Sequence, residues 1–198
     1  MIEMNAISEK LDDTPTLPVV RLARPYFSMR NRAGRFCWGM VSFFLFRPTL
    51  RPLHGWRSLL LRAFGARLGK RCHIYPGAKI WAPWNLECGD DVAIADGTEV
   101  YNTSLIKLED GAVISQGAYL CGASHDPDDP DFPLLTARIV VERRAWVASR
   151  AIVMLGITLG EGCVIGAGSV VTRNVPKGAI CAGNPCRVIK MREVPSGI

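Results

Sequence analysis

A period of six residues runs through the C-terminal two-thirds of this chain and excludes most folds. Leu68, Ile74, Ile80, Leu86, Val92 and Thr98 follow one another at that spacing. After a slip it resumes at Leu108, Ile114 and Leu120, and after a longer break at Val141, Val147, Val153, Leu159, Ile165 and Val171. Fourteen of these fifteen positions are aliphatic. An amphipathic helix needs spacings of three and four, and a half-buried strand needs strict alternation. Neither produces a period of six. The fifth position of each hexad is mostly small (Cys72, Ala78, Ala112, Ala118, Ser124, Ala145, Ala151, Cys163, Ser169), and the second is often Gly, Ala or acidic, as at Gly69, Glu87 and Gly160. The pattern predicts an all-β coil with flat faces and tight corners. One aliphatic side chain per face points to the axis, and small or turn-forming residues bend the chain. Successive coils then pair as parallel strands about 4.8 Å apart. No hexad buries its aliphatic residue alone, so stability comes from stacking.

The rest of the chain is different. From Arg21 to Arg71 there are twelve Lys or Arg and no Asp or Glu, whereas the remainder carries twelve basic against eighteen acidic residues. A basic segment of this kind expects an anionic partner. Within it Phe36 to Phe46 is an apolar run of eleven, too short to span a membrane as a helix. Segments 29–46 and 53–64 read as helices separated by Pro48 and Pro52. Two roles are open to them: capping the first coil, which is favoured, or lying against anionic lipid through the arginines as a peripheral contact. No recognition motif accompanies the charge, so nucleic acid is not expected. The polar, partly acidic N-terminus lacks the pattern of a secretory signal, and the seven cysteines form no C-x-x-C pair. Reduced thiols in a cytoplasm are therefore expected. The boundaries read as a flexible tail 1–20, a basic helical arm 21–66, a β-helix 67–176 with a loop 126–138, and a C-terminal extension 177–198.

Three strings carry a resemblance: IYPGAKIWAPWNLECGDDVAI, LIKLEDGAVISQGAYLCGASHD and VIGAGSVVTRNVPKGAICAGNPCRVIKMR. With the repeat, they resemble the hexapeptide-repeat acyltransferases, and within them the colanic acid acetyltransferase branch. Galactoside, maltose and nodulation-factor O-acetyltransferases are similar. The resemblance covers roughly 30–192. It implies a left-handed parallel β-helix of about five coils with three hexads each, and acetyl-CoA as co-substrate. It also implies a sugar or lipid-linked oligosaccharide acceptor, and a homotrimer with its sites between subunits.

Breaks in a solenoid are where function sits. The largest, Asp126 to Arg138, follows His125 and carries Pro127, Pro130 and Pro133. Transfer to a hydroxyl needs a base, and imidazole is the natural one near neutral pH. The resemblance makes His125 the catalytic base. Asp126 either orients the imidazole, contacts the acceptor or closes a turn. Asn102, at the slip before Leu108, is an acceptor ligand by the same resemblance and a plain turn asparagine otherwise. The resemblance assigns acetyl-CoA binding to Ser149, Ala167, Thr172, Arg173, Arg187 and Lys190, with the three cationic side chains meeting phosphates. Trp81 and Trp84 read as packing on the arm rather than as a sugar platform. The β-helix also carries a carbonic anhydrase activity that needs three metal-binding histidines. His54, His73 and His125 are too few and badly spaced for it, so no metal is expected. A non-catalytic trimeric scaffold and an acetyltransferase acting on an antibiotic are the other readings.

Overall fold

The computed structural model describes residues 17–22 and 26–193. Most of the expected tail 1–20 lies outside the described residues. From residue 67 the chain winds into a parallel β-helix with three faces. The Leu68 face stacks Arg67–Leu68, Leu86–Cys88, Ile106–Leu108, Ile139–Val141 and Thr158–Leu159. The Ile74 face stacks His73–Ile74, Ala93–Ile94, Val113–Ile114, Trp146–Val147 and Val164–Ile165, then Ala179–Ala182 as a sixth rung. The Ile80 face stacks Lys79–Ile80, Glu99–Tyr101, Tyr119–Cys121, Ile152–Val153 and Val170–Val171. Each rung sends a side chain to the axis, and the three-residue rungs of the Leu68 face send two, as Ile106 with Leu108 and Ile139 with Val141. Ile74, Ile94, Ile114, Leu120, Val153 and Ile165 are fully buried as well.

The register differs from the simplest reading of the period. Leu68 pairs with Cys88, Ile74 with Ile94 and Ile80 with Val100. The early coils are thus two residues longer than the last, where Val141 pairs with Leu159 and Val147 with Ile165. A single 3-10 turn, Pro83–Asn85, lengthens the corner after Ile80. Cys88, Ile94 and Val100, each two places after Leu86, Val92 and Thr98, are therefore the residues of the second coil in register with Leu68, Ile74 and Ile80. Leu86, Val92 and Thr98 are buried all the same. Val92 and Thr98 take the corner position that Ala112 and Ala118 fill one coil later, and the Thr98 hydroxyl donates to the Ser115 carbonyl at 3.1 Å. Aliphatic residues at corner and face positions alike let the period be read in two registers, and the backbone pairing selects one.

The basic arm closes the open end of the coil. Helix α1 (Met29–Val41) starts at a Ser28 cap whose hydroxyl accepts from the Asn31 amide, and runs into a π-helical turn, Ser42–Phe46. Helix α2 (His54–Ala63) follows. Trp38, Phe46 and Leu61 pack against the first coil. Each edge strand of that coil has carbonyls with no coil beneath them, and each receives a donor from the arm. Trp38 Nε1 donates to Ile80 at 2.7 Å, Arg57 Nε to Ile74 at 2.6 Å, and the Arg62 guanidinium to Leu68 and Gly69 at 3.1 and 2.8 Å. Arg57 is fully buried and also donates to the Leu50 and Arg51 carbonyls and the Thr49 hydroxyl. Unpaired buried carbonyls are costly, so the cap explains why a cation sits in an apolar core. Trp81 and Trp84 pack on the arm as well. The Arg35 guanidinium lies 4.3 Å from the Trp81 ring centroid, and Trp84 lies against Gly34 and Gly65.

After Cys121 the chain leaves the coil. Ala123–His125 pairs antiparallel with Leu134–Thr136, and Val20–Leu22 adds a third strand on the far side. Residues 126–138 thus form the tip and return strand of a hairpin rather than an open loop. Val20–Leu22, which the sequence reading divides between tail and helical arm, belongs to this small sheet.

Candidate active site

His125 ends the outgoing strand of the hairpin, at the corner between the Ile80 and Leu68 faces, and is exposed. Its Nδ1 lies 2.8 Å from the Phe132 carbonyl oxygen. A carbonyl only accepts, so Nδ1 carries a hydrogen. In the neutral ring this contact selects the tautomer with the hydrogen on Nδ1. Phe132 holds that carbonyl with φ 44°, a left-handed conformation uncommon for a bulky residue. Strain of this kind persists only where its surroundings enforce it. The Phe132 amide donates to Asp129, and the Asp129 carboxylate accepts from the Asp131 amide and pairs with Arg21. Those contacts hold the Asp129 carboxyl below its usual range, the Asp131 amide contributing most.

The acidic tip consists of turns. Asp126 Oδ1 accepts from the Asp128 amide at 3.1 Å and Asp129 Oδ1 from Asp131 at 2.9 Å, which are Asx turns. Asp126 therefore does not pair with the imidazole. Among the described residues no group of three or more His, Cys, Asp or Glu is placed to hold a metal ion.

Asn102 has a different place from the one expected. It is fully buried, its Oδ1 accepting from the Ala82 amide at 2.9 Å and its Nδ2 donating to the Ala82 carbonyl at 2.7 Å. Both ends of the amide brace the corner of the coil below, and none of it faces solvent. Acceptor binding does not fit this placement. A side chain that satisfies one backbone amide and one carbonyl is what a lengthened corner requires.

The residues proposed for the donor fall on two corners. Ser149 and Ala167 line a cleft of about 500 Å³ with Gln116, Arg150 and Gly168, at the corner between the Ile74 and Ile80 faces. A methyl group added at Gly168 would meet no atom within 4 Å, so the backbone there is open to an approaching chain. Arg187 starts the strand Arg187–Met191, pairs with Ala182 and is exposed beside this corner. Lys190 lies farther along the same strand, opposite Ile180. Thr172 and Arg173 are exposed one face away, on the corner that bears the His125 hairpin. The Ser149 corner and the His125 corner of one chain thus border opposite edges of the Ile80 face.

The strand Val20–Leu22 and the Phe132 carbonyl are the parts of the site that sequence reasoning missed. No local signal marks either, because a strand added from a hundred residues away and a backbone oxygen have no residue-type signature.

An extended hairpin carrying an exposed, oriented histidine, on a coil whose neighbouring corner opens between small residues, places the chain among β-helix transferases. The family described as "Hexapeptide repeat of succinyl-transferase" matches residues 138–173. The protein of Escherichia coli (strain K12) named "Putative colanic acid biosynthesis acetyltransferase WcaF" is 38% identical over 155 residues, covering 78% of this chain and 85% of that protein. The crystal structure of a maltose O-acetyltransferase from Clostridium difficile 630 superposes with a TM-score of 0.77 at 26% identity, covering 84% of this chain and 90% of that one. A hexapeptide-repeat acetyltransferase of Vibrio cholerae, solved with acetyl-CoA, gives 0.76 at 20% identity over 98% of this chain and all of that one. The chain belongs to the hexapeptide-repeat acetyltransferases.

Proposed function

We propose that this protein moves an acetyl group from acetyl-CoA to a sugar hydroxyl during assembly of a bacterial exopolysaccharide of the colanic acid type. The observation that carries the reading is the His125 imidazole, held by the Phe132 carbonyl so that Nε2 is the basic, exposed nitrogen. His125 takes the proton of the acceptor hydroxyl as its oxygen forms a bond to the thioester carbonyl carbon. The C–S bond then breaks, and the imidazolium returns the proton to the departing thiolate. No acyl-enzyme is needed. Asp126 stands beside the base as the acceptor-side carboxylate. Similarity to WcaF across most of both chains supports the polysaccharide pathway. Mixing the protein with acetyl-CoA and exopolysaccharide repeat oligosaccharides should release free thiol and raise the acceptor mass by one acetyl group. Acetylation of antibiotics but of no sugar would overturn the acceptor class, and no thiol release with any hydroxyl acceptor would overturn catalysis.

Ser149 and Ala167 admit the pantetheine arm, and Arg187 meets a phosphate of the donor. Arg187→Ala should raise the KM for acetyl-CoA about tenfold while changing kcat little, since charge-assisted contacts to phosphate act mainly on binding.

The active form is a homotrimer. The placement of the His125 and Ser149 corners on opposite edges of one face supports an assembly in which the base of one chain serves the donor corner of the next. Trp146 and Val113 stand 47% and 37% exposed on adjacent rungs of the Ile74 face, an apolar flank for such packing. Light scattering should report a trimer at micromolar concentration; a stable, active monomer would contradict it.

A further inference from the structure

The arm spends one side of each helix on the first coil and leaves the other bare. Trp38, Arg57 and Leu61 face inward. On α1 and the turn that follows it, Phe36, Met40 and Phe44 recur at a spacing of four and are 71%, 47% and 58% exposed. Residues at that spacing share one helical face. Leu45, Leu50, Leu53, Trp56 and Leu59 extend the exposed apolar surface onto α2. Trp56 Nε1 donates to the Leu45 carbonyl at 2.9 Å and joins the two parts. Large apolar side chains left exposed together on a folded protein mark an interaction site.

Charge selects the partner. Arg32 precedes Phe36 by one turn, Arg30 flanks it and Arg47 follows Phe44; all three are exposed. No carboxylate occurs anywhere from Arg21 to Arg71. Among the described residues no helix is long and apolar enough to cross a membrane. Large apolar side chains on one face, bordered by arginines that reach sideways with their charge, are the composition that lies in a lipid interface. We infer that this face docks on an anionic lipid surface, with Phe36, Met40, Phe44 and Leu45 in the acyl boundary and Arg30, Arg32 and Arg47 among the headgroup phosphates. The capping and docking roles belong to opposite sides of the same helices, so one does not exclude the other. The β-helix rises from the surface, and His125, on the third coil, stands about 10 Å above the first coil. A family enzyme held this way meets acceptors carried on the membrane.

Flotation of the full chain with vesicles tests this. At low salt it should rise with vesicles about one-third phosphatidylglycerol and stay behind with pure phosphatidylcholine. The double variant Phe36→Ser/Phe44→Ser should bind the anionic vesicles about tenfold less or weaker. Its thermal melt and acetyl-CoA affinity should stay those of the parent, because both rings are exposed and away from the coil. Absence of flotation with anionic vesicles, or undiminished binding by the double variant, would overturn the proposal. So would a drop in oligomeric state of the double variant in lipid-free solution, which would assign the face to a second copy of the chain. None of these readouts depends on the acceptor sugar, so failure here leaves the acetyltransferase reading standing and the reverse also holds.

Discussion

His125→Ala should lower turnover at least about 100-fold, the contribution of a positioned general base. An alkyl hydroxyl is barely ionised at neutral pH, so its proton must leave as the new C–O bond forms. Only a group with a free lone pair at the acceptor can take it. The Phe132 carbonyl commits Nδ1 as a donor and so leaves that task to Nε2. Acetyl-CoA affinity should be unchanged within about twofold, because Ser149 and Ala167 line a cleft on the other edge of the Ile80 face. His125→Asn separates chemistry from architecture. Its side-chain amide can still donate to the Phe132 carbonyl and hold the hairpin, but it supplies no base. It should therefore be as inactive as the alanine variant while the hairpin keeps the parent's resistance to proteolysis. Steady-state kinetics with calorimetric titration of the donor would check both. Near-parent turnover in a folded His125→Ala protein would remove the base from His125 and make Asp126 the next residue to replace.

Arg57→Ala should destabilise the protein by about 3–5 kcal/mol. The guanidinium is fully buried and gives donors to three carbonyls and a hydroxyl between the arm and the first coil. Burial pushes its pKa down, with Asp96 acting the other way, but a guanidinium stays charged at any pH a protein survives. Alanine would remove the guanidinium's donors from all four acceptors and open a cavity at the join. Arg57→Lys should restore only part of the loss, since a compact ammonium cannot reach the spread of acceptors that a planar fork does. Urea unfolding at one fixed protein concentration would measure both, the concentration being held because oligomerisation adds to apparent stability. A midpoint for Arg57→Ala equal to the parent's would show that the arm does not hold the end of the coil.

The period of six reveals the β-helix because each rung must send one aliphatic side chain to the axis, and that demand repeats in the sequence. The last six hexads, Val141 to Val171, could be placed residue by residue since no insertion interrupts them. The second coil could not. Val92 and Thr98 sit at corners that tolerate larger residues, and only the pairing of Leu68 with Cys88 reveals the two-residue lengthening. The helices of the arm were legible from the prolines between them. Their capping role was favoured because the open edge of a first coil needs cover, but the delivery of Trp38, Arg57 and Arg62 to three separate edge strands was not visible.

The same division holds at the site. His125 stood out by residue type and by its position at the largest break in the repeat, whereas Ser149 and Ala167 were named only through the family resemblance. Asn102 was misplaced because the sequence shows an asparagine at a slip but not which way its amide turns; burial and the Ala82 backbone decide that. The sequence by itself determined the repeat, the insertion and the histidine, which are properties of local spacing and residue type. Tertiary structure alone decided the hydrogen bond of His125 to the Phe132 carbonyl, the strand Val20–Leu22 beside its hairpin, and the separation of the His125 and Ser149 corners across one face. Each of these depends on a backbone group or a surface brought from far along the chain, and contacts made by backbone atoms leave no mark on residue identity.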